Sequence, residues 1–207
     1  MGNSKQGCLS VLAIESDSEL CSWLSKQLEL VYGVAEVRAV ASVAAANALL
    51  TAWTPDLFVV DICTLPLDSV LPLITRIKRS QPRQRCIVTT LYDDSDELLL
   101  SLRAGADGYV KIDEDDALFI QQLQDVVLGR PRLTAKLARR LISEFGLQYR
   151  DELALVNCEM SVLELVASGL SVKRSAQDLG MSYEAIANTV RGLFGKLHDQ
   201  HQPEAAA

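Results

Sequence analysis

The first 130 residues alternate short apolar runs with longer stretches whose apolar positions recur at helical spacing. The segments LSVLAI (9–14), AEVRAVAS (35–42), DLFVVD (56–61), RCIVTT (85–90) and GYVKI (108–112) read as strands. Between and after them, residues 18–32, 42–53, 67–81, 94–105 and 116–129 carry helical periodicity, with Gly33, Gly105 and Gly129 as stop signals. Pro72 suits the third of these helices only in its first turn, because proline lacks the N–H that an interior position must donate. Five strand–helix units in succession predict a parallel sheet covered by helices on both faces.

The rhythm changes after residue 129. Residues 129–145 predict one basic amphipathic helix with Thr134 as its N-cap, read as a linker helix with a solvated charged face. Three helices follow over 158–169, 171–180 and 181–197, with Gly169 and Gly180 closing the first two and Ser171 and Ser182 as caps. Ile186, Val190, Leu193 and Leu197 share one face of the last helix. The pattern predicts a helix-turn-helix bundle. The expected boundaries are residues 1–130, a linker over 131–150, and a helical domain over 151–207.

A chain of 207 residues has room for two small domains. No stretch reaches the roughly 18 apolar residues that a membrane span needs. Its first residues, MGNSKQG, hold no apolar signal core, so a cytoplasmic location is expected. Cys8, Cys21, Cys63, Cys86 and Cys158 are scattered without a CxxC pair, which fits reduced thiols better than a zinc site. His198 and His201 fall near the C-terminus, where a structural role is expected. The net charge of -7 is uneven: -7 over residues 1–130, +4 over 131–150 and -4 over 151–207.

One position stands out in this pattern. The strand FVV runs straight into Asp61, and an unpaired charge is expensive to bury. In a doubly wound sheet, function gathers at the carboxyl ends of the strands. Four strand ends here carry polar groups: Glu15-Ser16-Asp17, Asp61, Thr90 and Lys111. A carboxylate nucleophile needs a nearby cation, a hydroxyl for the transferred oxygens, and acids that hold a metal.

The segments PDLFVVDICTLP, CIVTTLYDD and AGADGYVKI, followed by the C-terminal LVNCEMSVLELVASGLSVKRSAQDLGMSYEAIANTVRGLFGKL, resemble response regulators of the NarL/FixJ type. The resemblance spans about residues 8–200. It implies a flavodoxin-like five-stranded receiver joined to an all-α, LuxR-type helix-turn-helix domain. It also implies that Asp61 accepts a phosphoryl group, that Thr90 and Lys111 contact it, and that Tyr109 is an aromatic switch. Glu15, Asp61 and the main-chain carbonyl of Cys63 would be the ligands of Mg2+. Lys173, Arg174, Asn188, Thr189, Arg191 and Lys196 would face DNA.

Three departures from the family pattern bear on function. Glu15-Ser16 stands where two adjacent acids are usual, which removes a charge from the metal site and predicts weak binding. Asp17 is the other acid within reach. Lys111 follows Tyr109 by two residues rather than three, and a one-residue slip turns a strand side chain to the other face. The presumed recognition helix carries Ala185, Ala187 and Gly192 in a domain of net charge -4, so weak DNA affinity per monomer is expected.

The expected function is a two-component transcription regulator, with a promoter and a sensor histidine kinase as partners and a homodimer as the acting form. Phosphorylation at Asp61 is expected to be weak or replaced by another signal. The alternative is a degenerate receiver that acts through protein contacts without binding DNA. A flavodoxin-like enzyme finds no support, since the chain has neither a glycine-rich phosphate loop nor an acid–base pair.

Overall fold

The computed structural model describes residues 9–112, 115–147 and 155–199. Cys8, His201 and the expected domain boundary at 150/151 lie outside the described residues. Five strands, β1 (Leu9–Ile14), β2 (Val34–Val40), β3 (Leu57–Asp61), β4 (Arg85–Thr90) and β5 (Gly108–Lys111), form one sheet in the order β2-β1-β3-β4-β5. Every pairing is parallel. The connecting helices are α1 (Ser18–Glu29), α2 (Val43–Leu49), α3 (Leu67–Ser80), α4 (Asp96–Ala104) and α5 (Asp116–Val127).

Alternation along the strands sorts the core into two layers. Val11, Ala13, Leu57, Val59, Ile87 and Val110 face α1 and α5, where they meet Leu24, Leu28, Phe119 and Leu123. Leu12, Ile14, Phe58, Val60, Val88 and Tyr109 face the other way, onto α2, α3 and α4. Each such leucine or phenylalanine, fully buried, contributes about 1.5–3 kcal/mol. β1, β3, β4 and β5 are therefore largely buried, while the edge strand β2 carries Glu36 and Arg38, and polar groups gather where β1, β3 and β4 leave the sheet.

Helix starts follow from local chemistry. Asp17, Ser42, Ser95 and Asp115 each accept a backbone N–H in the first turn of α1, α2, α4 and α5. The expectation for Pro72 is corrected: α3 begins at Leu67, so Pro72 lies in its second turn. Asp68 and Pro72 are both exposed, so water can replace the donor that the Asp68 carbonyl lacks. Gly105 ends α4 at φ 111°, a conformation that a side chain would strain.

Four further helices complete the chain: α6 (Ala135–Leu147), α7 (Asn157–Ala167), α8 (Val172–Asp178) and α9 (Tyr183–Asp199). Thr134 caps α6 as expected, its hydroxyl accepting from Leu137 N at 3.3 Å. Ser171 and Ser182 cap α8 and α9 in the same way. The apolar face expected on the last helix is present: Ile186, Val190, Leu193 and Leu197 are all buried. The core layer over α3 and α4 continues through Leu133, Leu137, Leu141 and Phe145 into Val162, Leu163 and Phe194. The helical domain thus packs against the receiver through one continuous apolar seam. No helix among the described residues is long and apolar enough to cross a membrane.

Candidate functional site

Asp61 closes β3 and is fully buried, as is Glu15 just beyond β1. One oxygen of Asp61, Oδ2, accepts from the backbone N–H of Cys63 at 3.1 Å and of Thr64 at 2.7 Å. The hydroxyl of Thr64 lies 2.7 Å from the same oxygen and 3.0 Å from Glu15 Oε1. That hydroxyl has a single proton, so it donates to one carboxylate at a time. Ser16 donates to it from the other side at 2.7 Å. Glu15 Oε1 also accepts from Asp17 N at 2.8 Å. Two buried carboxylates are therefore joined by an exposed threonine that sits over both.

The second oxygens of the pair tell a different story. Glu15 Oε2 and Asp61 Oδ1 are buried and have no hydrogen-bond partner among the described residues, and neither has Thr89 Oγ1. Burial, and the charges of Asp61 and Asp17, hold the Glu15 carboxyl above the usual range against the opposing bonds from Asp17 N and Thr64. The Cys63 thiol is pushed up by burial and by the same two acids, Asp61 and Glu15. Asp17 does not join them. Its Oδ1 accepts from Glu19 N and Leu20 N, both at 2.9 Å, at the start of α1.

Thr90 ends β4 beside this pocket. Its hydroxyl contacts Cys63 Sγ at 3.8 Å and donates to Tyr92 O at 3.0 Å. Lys111 pairs with Thr90 in the register of β4 and β5, without a bulge, so it and Tyr109 share one side of the strand. Ile112, one residue later, packs with the α1/α5 core layer. Tyr109 is fully buried, and its hydroxyl lies 3.4 Å from Thr134 Oγ1. Burial pushes its phenol above the usual range.

The carboxylate, hydroxyl and thiol at positions 15, 61, 63 and 90 are thus brought together. Sequence reasoning missed Thr64, although its position three residues after Asp61 is the spacing at which a turn folds a side chain back onto an acid. Asp17, the other acid within reach, is the N-cap that the helical run starting at Ser18 marks.

The residues expected to face DNA are dispersed among other bonds. Lys173 is exposed on α8, and Arg174 beside it pairs with Asp178 at 3.1 Å. Arg191 on α9 donates to the Gly129 carbonyl and to Asn188, and pairs with Glu184 at 3.3 Å. Thr189 donates to the Ala185 carbonyl at 3.1 Å. Lys196 pairs with Glu159 at 2.6 Å, the acid that also accepts from Val156 N at the start of α7. Ala187, mid-helix on α9, is buried.

Residues 11–124 match the response regulator receiver domain. The chain belongs to the response regulator family. It is of the NarL/FixJ type, with a flavodoxin-like receiver and a LuxR-type helical domain. The DNA-binding transcriptional activator DevR/DosR of Mycobacterium tuberculosis is 30% identical over 168 residues, covering 80% of this chain and 77% of its own. The oxygen regulatory protein NreC of Staphylococcus epidermidis is 28% identical over 159 residues, 72% of this chain and 73% of its own. The Salmonella typhimurium RcsB response regulator shares the fold over 92% of both chains, at TM-score 0.55 and 23% identity. In this response regulator the pocket holds Glu15-Ser16 just beyond β1, and Ile112 stands three residues after Tyr109.

Proposed function

We propose that this response regulator is a cytoplasmic, DNA-binding transcription regulator, acting as a homodimer, whose receiver governs the α7–α9 domain by direct contact. The observation that carries this reading is the bond from Arg191 on α9 to the Gly129 carbonyl at the end of α5. A residue suited to a phosphate or base is held by the receiver, so docking and DNA contact draw on the same side chain.

Asp61 is the phosphoacceptor in this account, with a sensor histidine kinase as donor. An Asp61 oxygen forms a bond to phosphorus as the bond to the donor's leaving group breaks. Thr90 takes the transferred oxygens, and Tyr109 responds to its movement; Lys111 lies on the Tyr109 side of β5, so this register does not support the contact expected of it. The donor set fits Mg2+: Glu15 Oε2 and Asp61 Oδ1 are buried carboxylate oxygens without partners among the described residues, and the Cys63 carbonyl would be the third donor. When bound, the ion supplies positive charge that offsets the carboxylates and the phosphoryl oxygens. Two features slow the reaction. Asp61 is closed to solvent beneath Thr64, and Asp17 is spent on the cap of α1 rather than on the pocket.

Mobility shifts on genomic fragments test the output. Retardation is expected at low salt and in a folded dimer, and it should weaken as salt rises, with the shallow slope of few phosphate contacts. No retardation at low or moderate salt, with the dimer intact, would favour the reading in which the acidic helical domain binds a protein instead.

A further inference from the structure

Between α3 and α4, beside the end of α9, lies a cavity of about 730 Å3. Cavities of roughly 300–1,000 Å3 are the size that holds a small molecule. Pro72, Thr75, Arg76 and Arg79 recur at helical spacing, so α3 turns one face to it. Leu100, Arg103 and Ala104 do the same on α4. The wall between the charged groups is apolar: Leu71 and Leu100 are half-buried and Pro72 is exposed.

Three guanidinium groups stand around this wall, and no acidic side chain lines it among the described residues. Arg79 is exposed and has neither an ion pair nor a hydrogen bond among those residues. Arg76 donates to Asn47, a neutral partner. Arg103 pairs with Glu144 of α6, so two of the three positive charges are left without an acid. His198 closes the rim from α9, its Nδ1 donating to the Arg103 carbonyl at 2.9 Å. Basic side chains in a last turn offset the carbonyl end of a helix, and this alone would account for Arg79 and Arg103. It does not account for Arg76, a turn earlier, or for the apolar wall that the arginines surround.

We propose that this cavity is a binding site for an amphipathic monocarboxylate. The head lies between Arg76 and Arg79, whose planar forks match a carboxylate, and the apolar body runs along Leu71, Pro72 and Leu100. The site shares no residue with the Asp61 pocket or with the residues expected to face DNA. It therefore gives the receiver an input separate from phosphorylation, and it fails or stands apart from the proposed function.

Titration of the full chain with decanoate, below its micelle concentration and followed by amide chemical shifts, tests this. Saturable binding is expected, with shifts confined to residues 71–80, 100–105 and the end of α9. Acetate, which lacks the body, and decylammonium, which reverses the charge, should each bind at least about tenfold more weakly. Arg76→Ala and Arg79→Ala should each weaken decanoate about tenfold, the size of one lost charge-assisted hydrogen bond. Both positions are exposed. Thermal melting identifies a variant that has lost its fold, and Arg79→Lys then takes its place, with a loss of about threefold. No saturable binding, shifts that map elsewhere, or an affinity unmoved by either alanine would overturn the site. Decylammonium binding as tightly as decanoate would overturn the anionic head.

Discussion

Thr64→Ala is expected to cost about 2–3 kcal/mol of stability, because it removes the one hydroxyl that serves two buried carboxylates. Asp61 Oδ2 keeps its two backbone donors, but Glu15 Oε1 keeps only Asp17 N. The acids then face each other with less to separate their charges. Thr64→Ser retains the hydroxyl and should lose less than about 1 kcal/mol. Chemical denaturation of the three proteins at neutral pH measures the difference. Equal midpoints for Thr64→Ala and the parent would mean that the hydroxyl bridge carries no weight.

Glu15→Gln should act in the opposite direction, raising stability by about 1–2 kcal/mol near neutral pH. The amide oxygen can still accept from Asp17 N and Thr64, and the buried charge is gone. The effect depends on pH with a defined sign. Because burial raises the Glu15 carboxyl above its ordinary range, the native state keeps a proton that the unfolded chain has already lost. Parent stability therefore falls as pH rises from the ordinary carboxylate range through the raised value, and the glutamine variant should lack that fall. Added Mg2+ should stabilise the parent by mass action and the variant much less. A variant less stable than the parent at every pH would show that the Glu15 charge is already compensated.

Much of this was legible in the chain. The period-2 and period-3.6 stretches place all five strands and all nine described helices, and the caps Thr134, Ser171 and Ser182 stand where expected. Pro72 left the start of α3 open; it is tolerated in the second turn because it and Asp68 face water. The pocket was legible in part. Asp61, Glu15 and Thr90 could be placed because strand ends converge on one rim. Thr64 could not, since its role depends on how a turn folds over two acids from separate strands. Pattern also misplaced the weight of α6, because periodicity gives a charged face but not its partner, and the partner lies on α4 more than thirty residues away.

The account stands most directly on whether Asp61 receives a phosphoryl group. Intact-protein mass spectrometry after incubation with a small phosphodonor and Mg2+ measures this. The parent should gain one phosphoryl group slowly, faster in Thr64→Ser than in the parent only if the threonine methyl helps close the pocket, and Asp61→Asn should gain none. A parent that stays unmodified at long times, or a gain that persists in Asp61→Asn, would contradict the assignment of Asp61 as the input of this regulator.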